Sequence, residues 1–163
     1  MTARATGAHA EPKFLCDEML GRLARYLRAA GYDAKLAAGG LPDRVLLDLA
    51  RRERRAFLTC DRRVAEHKAA AGVAAILQRG DLDALARQVA ARFAIDWLHR
   101  PFSRCLVDNT VLAAADAAHI DRLPADVAVR TALFCPTCAR VYWAGSHHRR
   151  MRARLSQWSE SRC

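Results

Sequence analysis

The sequence has very little lysine and no long apolar run. Only three of its 27 basic residues are lysines, at positions 13, 35 and 68, so the other 24 are arginines. No stretch approaches the roughly 18 consecutive apolar residues of a membrane-spanning helix, and residues 1–12 lack the apolar core of a signal peptide. These absences argue against a membrane or secreted protein. They predict a cytoplasmic protein in which residues 1–12 form a flexible leader.

Acidic residues are also scarce, because 17 of them stand against 27 basic ones and leave a formal net charge of +10. With 163 residues, 52% of them hydrophobic, the chain is too apolar for general disorder and long enough for one sizeable core. An excess of arginine, whose guanidinium fits phosphate oxygens, favours a nucleic acid as the partner. The alternative is a basic protein whose charge serves only its solubility.

Between residues 13 and 99, short apolar segments alternate with amphipathic segments. Strands are predicted at 13–16, 32–37, 56–59 and 73–77, and helices at 20–31, from an N-cap at Asp43, at 62–71 and from Asp81. This alternation predicts an α/β fold, with a parallel sheet covered by helices in three layers. The helical periodicity ends near Arg100, which predicts a second module at 100–146 and a basic C-terminal tail at 147–163.

Acidic residues follow the predicted strands. Asp17 and Glu18 come after the first strand, Asp61 after the third and Asp81 after the fourth, while Asp43 begins the second helix. Because the carboxyl ends of parallel strands meet at one edge of the sheet, these acids are expected to gather there. Clustered carboxylates need a compensating cation, and Mg²⁺ or Mn²⁺ accepts such oxygens. The alternative is that each acid only caps a helix or starts a turn.

Two groups of arginines are candidates for contacts with phosphate. Arg22, Arg25 and Arg28 recur at steps of three along one face of the first predicted helix, where a solvated polar face is the alternative. Residues 139–159 contain no acid, and their candidate arginines are Arg140, Arg149, Arg150 and Arg152.

Aromatic residues accompany the second group of arginines. Tyr142, Trp143 and Trp158 lie among them, and aromatic rings beside arginines are typical of proteins that bind single-stranded nucleic acid. The alternative is that Tyr142 and Trp143 fill the small core of the second module.

The cysteines indicate a metal site. In a cytoplasmic protein, closely spaced cysteines more often hold a metal ion than pair with each other. Cys135 and Cys138 have the spacing of a zinc knuckle, and Cys105 is their predicted partner. The other cysteines are interpreted as buried apolar residues of the strands, at Cys16 and Cys60, and as a terminal thiol at Cys163.

Several segments together resemble a known family. They are FLCDEMLGRLARYLRAAGYD at 14–33, LTCDR at 58–62, CPTC at 135–138 and VYWAGSH at 141–147, with Arg104, Cys105 and Asn109 between them. Over residues 13–151 the chain resembles the Mut-seven C-terminal RNase family, a branch of the PIN-like nucleases with a C-terminal zinc ribbon. The resemblance implies a PIN-like domain at 13–99, a zinc-ribbon-like module at 100–146 and metal-dependent cleavage of RNA.

The resemblance also implies roles for particular residues. Asp17 and Asp61 fall on acidic positions of the family, and Asp43 corresponds to an acid of related PIN-like sequences. Glu18 and Asp81 are further candidates. At position 108 the family pattern has a fourth cysteine, whereas this sequence has Asp108.

Three interpretations of this departure stay open. Asp108 supplies an oxygen ligand to zinc beside Cys105, Cys135 and Cys138, or His147 or His148 is the fourth ligand, or the module has no metal.

The sequence thus predicts a ribonuclease that uses Mg²⁺ or Mn²⁺ at its acidic edge and Zn²⁺ at its cysteine module. One alternative is a non-catalytic RNA-binding protein, and another is a toxin-like component that acts through a protein partner. Phosphate contacts alone do not distinguish RNA from DNA.

Overall fold

The structure is a computed structural model that describes residues 10–124 and 132–161. Most of the predicted leader, and the terminal Cys163, lie outside these residues. A parallel sheet has the order β2-β1-β3-β4. Its strands are β1 at Phe14–Cys16, β2 at Ala34–Leu36, β3 at Ala56–Thr59 and β4 at Ala74–Ile76. The sequence prediction of a parallel α/β sheet is therefore confirmed.

Both faces of the sheet are covered. On one face, Phe14 and Leu58 pack with helices α1 (Gly21–Ala30) and α3 (Leu82–Phe93). On the other face, Leu15 and Phe57 pack with α2 (Asp43–Arg52) and with two 3₁₀ helices. Because successive side chains of a strand point to opposite faces, the continuous apolar runs of β1 and β3 fill both layers of the core.

Two local predictions are wrong. Residues 62–71 form 3₁₀ helices at Arg62–Glu66 and Lys68–Ala70 instead of one α-helix. Their buried residues are only Val64 and Ala70, too few for a continuous apolar stripe, and His67 between them is extended. Asp43 is not the N-cap of α2, because Pro42 holds that position and Asp43 is the first helical residue.

A small antiparallel sheet of order β5-β6-β7 follows. Its strands are β5 at Ala113–Ala114, β6 at Leu133–Phe134 and β7 at Val141–Tyr142, and a short helix, α4, lies at Ala117–Ile120. The segment before this sheet packs on the core of the parallel sheet, since Leu106 belongs to the same buried cluster as Phe14. The division of the chain near residue 100 stays a prediction.

The segment predicted as a basic tail is mostly helix α5, at Ser146–Glu160. Its buried residues, Met151, Leu155 and Trp158, are spaced four and three apart and so lie on one face, which packs against α1 and α3. The Trp158 ring lies 4.7 Å from the Trp97 ring, and its Nε1 donates to Asp83. None of the helices in the described parts of the chain is long and apolar enough to cross a membrane.

Candidate active site and metal centre

Two of the predicted acids are linked at the carboxyl edge of the parallel sheet. Thr59, the last residue of β3, is fully buried. Its hydroxyl donates to Oδ2 of Asp17 at 2.6 Å and accepts from the backbone N–H of Asp61 at 3.0 Å. Since a hydroxyl has one proton and the Asp61 amide already occupies an acceptor position, that proton points to Asp17. Thr59 therefore orients both acids at the ends of neighbouring strands.

Each of the two carboxylates keeps one oxygen available. Asp61 uses Oδ1 to accept from the amide of Arg63 at 2.9 Å, and Asp17 uses Oδ2 for Thr59. Within residues 10–124 and 132–161, neither acid forms an ion pair with a basic side chain. Two uncompensated carboxylates on a protein of net charge +10 suit a site for an added cation.

The other predicted acids at this edge have different surroundings. Glu18 is exposed and lies against Gly39, where a Cβ would be only 2.5 Å from its Oε2. Asp43 faces His67 at 3.6 Å, and Asp81 accepts from the amide of Ala84 as the N-cap of α3. In the described structure these acids do not join Asp17 and Asp61 in a group of three or more close ligand atoms.

The cysteines beside the acids are unsuited to share this site. Burial raises the pKa of Cys16 to about 12, and burial also raises the pKa of Cys60. Both thiols therefore stay protonated near neutral pH. Cys16 is a buried part of the core, as predicted, whereas Cys60 is half-buried and follows the end of β3.

A second group of ligands lies in the antiparallel module. Four side chains each place one ligand atom within 4.8 Å of all the others: Cys105, Asp108, Cys135 and Cys138. The sulfurs of Cys105 and Cys138 are 3.7 Å apart, and the Cys135 thiol is 3.2 Å from Oδ2 of Asp108. Across the described residues, this is the one group of three or more Cys, His, Asp or Glu side chains that could hold a metal ion. We call it the four-ligand cluster.

The two halves of the four-ligand cluster have the same backbone geometry. In residues 105–110, the amide of Asp108 donates to the Cys105 sulfur at 3.5 Å and the amide of Asn109 donates to the Cys105 carbonyl at 3.0 Å. In residues 135–140, the amides of Cys138 and Ala139 make the equivalent bonds to Cys135, at 3.5 and 2.9 Å.

The similarity between residues 105–110 and residues 135–140 extends to the residue that follows each second ligand. Asn109 and Ala139 both have positive φ, at 73° and 58°, and each turn is closed by a bond from the first cysteine's amide to the carbonyl five residues later. Asp108 therefore occupies the position in the first turn that Cys138 occupies in the second. Of the three interpretations of position 108, this geometry favours an oxygen ligand.

Hydrogen bonds shift the acidity of the cluster. Burial alone would raise the pKa of Asp108, but bonds from the Thr110 amide and hydroxyl and from the thiols hold it well below its ordinary value. Burial opposes ionisation of Cys105 too, yet bonds from Tyr142 and two amides lower the pKa of its thiol. At Cys138, the Arg140 amide lowers the pKa, but desolvation and the neighbouring ligands outweigh it and raise the pKa to about 12.

The two histidines proposed as alternative ligands lie elsewhere. Nε2 of His147 is 2.9 Å from a guanidinium nitrogen of Arg25. The ring of His148 packs at 4.0 Å on the ring of Phe102. Neither histidine is a member of the four-ligand cluster.

Arg28 is placed differently from its prediction. It is 5% exposed, and its guanidinium donates to the carbonyls of Ala34, Leu106 and Val107 at 2.7, 3.1 and 2.9 Å. Helix α1 turns this arginine towards the interior, so a role in binding phosphate conflicts with its position. Arg28 instead links strand β2 to the first turn of the four-ligand cluster.

Asn109 forms a second link at the same place. Its Oδ1 accepts from the amide of Ala34 at 3.0 Å, and its Nδ2 donates to Asp33 at 2.7 Å. Arg55 donates to both oxygens of the same carboxylate, at 2.6 Å to Oδ1 and 3.0 Å to Oδ2, and these partners lower the pKa of Asp33 despite its partial burial. The cluster is thus attached directly to the parallel sheet.

Replacing Asn109 by glycine is expected to lower the free energy of unfolding by about 1–3 kcal/mol, because the buried amide of Ala34 loses its partner. Asn109→Ala should cost about 1–2 kcal/mol more, because alanine is strained at the positive φ of 73° that glycine adopts freely. Chemical denaturation of the two variants measures both terms. Equal stability of Asn109→Gly and the wild type would contradict this role of the amide.

The remaining candidate arginines are all exposed: Arg22, Arg25, Arg140, Arg149, Arg150 and Arg152. Trp158 is unavailable for stacking on a base, because it is only 6% exposed and packs in the core. Tyr142 is half-buried, and its hydroxyl contacts the Cys105 sulfur at 3.1 Å, whereas Trp143 is half-buried at the surface of the module.

Sequence reasoning missed Thr59 and the structural roles of Arg28 and Asn109. A threonine that ends an apolar strand two residues before an acid was the available signal for Thr59. No signal within a single helix distinguishes Arg28 from Arg22 and Arg25, since its partners come from β2 and the distant turn at 105–110.

Residues 12–155 match the family model described as the Mut7-C RNAse domain. The matched range contains both the carboxyl edge and the four-ligand cluster. No curated protein and no solved structure matches the chain.

Proposed function

Because the chain belongs to the Mut7-C RNase domain family, we propose that it is a divalent-metal-dependent ribonuclease with a PIN-like α/β domain and an active site at the carboxyl edge of the parallel sheet. The observation that carries the proposal is the pair of carboxylates, Asp17 and Asp61, oriented by one buried threonine. Both lack a basic partner in the described structure and keep an oxygen available. Glu18, Asp43 and Asp81 are further candidates at the same edge.

The donor set fits Mg²⁺ or Mn²⁺, which bind one or two carboxylates and complete their shell with water and substrate phosphate. When bound, such an ion supplies an activated water and neutralises the charge that develops on the phosphodiester. The protein's own contribution is orientation: Thr59 holds Asp17 through Oδ2, and the Arg63 amide holds Asp61 through Oδ1. Exposed Arg22 and Arg25, on the helix that follows Asp17, are candidates for contacts with RNA phosphates.

At the four-ligand cluster we propose a structural Zn²⁺ held by Cys105, Cys135, Cys138 and Asp108. A tetrahedral zinc ion with Zn–S bonds of about 2.3 Å separates its sulfurs by about 3.8 Å. The Cys105–Cys138 separation of 3.7 Å is compatible with that geometry. A cytoplasmic location belongs to the same proposal and is supported by the unpaired thiols of Cys16 and Cys60.

A second candidate function is RNA binding without catalysis. It is favoured by the ordinary capping bonds of Asp61 and Asp81, each of which accepts an amide at the start of a helix. In that case the acids stabilise helix ends and the arginines supply the affinity.

Incubation of labelled single-stranded and structured RNAs with the purified protein tests the proposal. We expect cleavage with Mg²⁺ or Mn²⁺ and none without an added divalent ion. Protein with Asp17→Asn, purified in parallel, controls for contaminating nucleases and should be inactive. Tight binding without cleavage in all metals would favour the non-catalytic function, and equal cleavage with and without metal would contradict the metal dependence.

A further inference from the structure

A large groove separates the antiparallel sheet from the amino end of α5. It has a volume of about 1150 Å³. This volume exceeds that of a typical pocket for a single small molecule. Four arginines line it, Arg25, Arg104, Arg140 and Arg149, and none of the described lining residues is acidic. The carboxyl edge with Asp17 and Asp61 is not part of its lining, so the groove is a separate feature of the molecule.

Trp143 is the tryptophan that lines this groove, because Trp97 and Trp158 are 1% and 6% exposed in the core. The indole of Trp143 lies directly against Gly145. A Cβ at position 145 would be 2.9 Å from the indole Nε1 and 3.4 Å from Cδ1. Gly145 therefore leaves the space that lets the half-buried ring lie against the backbone, and this close packing sets the direction of the ring.

Apolar and aromatic side chains complete the lining beside Trp143. Leu106 and Met151 are both buried members of the main core, so the core itself forms this part of the groove wall. The ring of His148 lies on Phe102, and its Nδ1 is buried without a hydrogen-bond partner in the described structure. The groove thus presents flat aromatic rings, whereas the buried Nδ1 of His148 is closed off from it.

The arginines differ in their availability. Arg104 is occupied, since it donates to the carbonyls of Gly31 and Asn109. Arg25 contacts His147, and Arg149 donates to the Ala144 carbonyl at 3.3 Å, which leaves most of each exposed guanidinium accessible. Arg140 is exposed and forms no hydrogen bond through its side chain to any described residue. Three accessible positive charges therefore line the same groove as the aromatic rings.

We propose that this groove binds unpaired nucleotides of single-stranded RNA, with a base stacked on Trp143 and phosphates on Arg25, Arg140 and Arg149. Stacking on an aromatic ring tolerates any base, and guanidinium groups bind the backbone, so the groove holds a strand without reading its sequence. A base-paired duplex hides its base faces and does not fit this mode. The inference rests on the proposed action on RNA and names the form of RNA that the protein holds.

The test is the affinity of Trp143 variants for RNA, measured by fluorescence anisotropy with a labelled 12-nucleotide RNA. Asp61→Asn serves as the parent, the titrations contain no added divalent ion, and gel electrophoresis of the probe afterwards checks that the RNA is intact. Adding Trp143→Ala should weaken binding between about 5-fold and 150-fold, the effect of losing one stacked base. Trp143→Phe should restore most of the affinity, because it keeps an aromatic face.

Further variants test the charge of the groove arginines and the position of the Trp143 ring separately. Arg140→Ala should make the slope of log K against log salt shallower by about 0.7, as for the loss of one phosphate contact on a single strand. Arg52→Ala, which removes an exposed arginine outside the groove, is the matched control and should leave that slope unchanged. Gly145→Ala should act like Trp143→Ala, because the added methyl displaces the ring.

Several outcomes would overturn the inference. Equal affinity of the Trp143→Ala variant and its parent would remove the stacking role. Equal binding of duplex and single-stranded RNA would remove the preference for unpaired bases. Tighter binding of a labelled acidic peptide than of RNA, lost in the Trp143→Ala variant, would assign the groove to a protein partner.

Failure of this inference is distinguishable from failure of the proposed ribonuclease. The affinities are measured in a background without cleavage and need no result from the acidic edge. Metal-dependent cleavage by the wild type can therefore stand when the groove does not bind RNA, and the reverse also holds.

Discussion

Replacing Asp61 by asparagine is expected to reduce divalent-dependent cleavage of RNA by at least about 100-fold. Loss of a residue that only supports a metal ligand typically costs 10- to 100-fold, and Asp61 is proposed to be a ligand itself. Asparagine keeps Oδ1 as an acceptor for the Arg63 amide, so the local turn should remain intact. The initial rate of cleavage as a function of Mn²⁺ concentration measures the loss.

Two further variants make this result specific. Asp48→Asn makes the same chemical change at an exposed position in the middle of α2 and should cleave at the wild-type rate. Thr59→Val keeps the shape of the side chain but removes the hydroxyl that joins Asp17 to Asp61, so a loss of about 10- to 100-fold is expected. Full activity of Asp61→Asn would refute the assignment of the site, provided that RNA binding is unchanged.

The second large effect is expected at the four-ligand cluster. The purified wild type should contain about one zinc ion per chain, and Cys135→Ala should contain almost none. Structural zinc sites contribute on the order of 10 kcal/mol of apparent binding free energy in small domains, so loss of the ion should strongly destabilise residues 100–146. Metal analysis and thermal unfolding with and without a chelator measure the two effects.

Controls in the same series separate ligands from other cysteines. Cys60→Ala removes a thiol outside the cluster and should retain the metal. Asp108→Cys should bind zinc more tightly than the wild type, because sulfur is the preferred ligand in structural sites, and Asp108→Ala should bind it more weakly. A wild-type protein without metal, or an Asp108→Ala variant with unchanged affinity, would contradict the proposed ligand set.

Local patterns in the sequence predicted the strands of the parallel sheet and the acidic residues that follow them. Apolar runs specify strands that are buried on both faces, and in a parallel sheet the residue after such a run lies at the carboxyl edge. For that reason the placement of Asp17 and Asp61 followed from the sequence. Their connection through Thr59 did not, because it depends on which strands are neighbours in the sheet.

The features that local patterns did not predict have a common physical origin in long-range packing. Helix α5 has only three buried side chains and many arginines, so its composition resembles that of a solvated tail, and it is ordered by contacts with α1 and α3. Arg28 belongs to a regular stripe of arginines, yet its partners are 6, 78 and 79 residues away along the chain. Periodicity within a helix predicts a polar face but not the residue of that face that another segment will cover.

The attachment at Ala34 also changes what the edge of the parallel sheet presents to other molecules. Strand β2 is one of the two outer strands of the parallel sheet, and an exposed outer strand can recruit a strand from another molecule through its free peptide groups. At Ala34, Asn109 already binds the N–H group and Arg28 already binds the C=O group. These two side chains occupy the peptide groups that a fifth strand would use at Ala34, so another strand cannot pair with β2 at this residue.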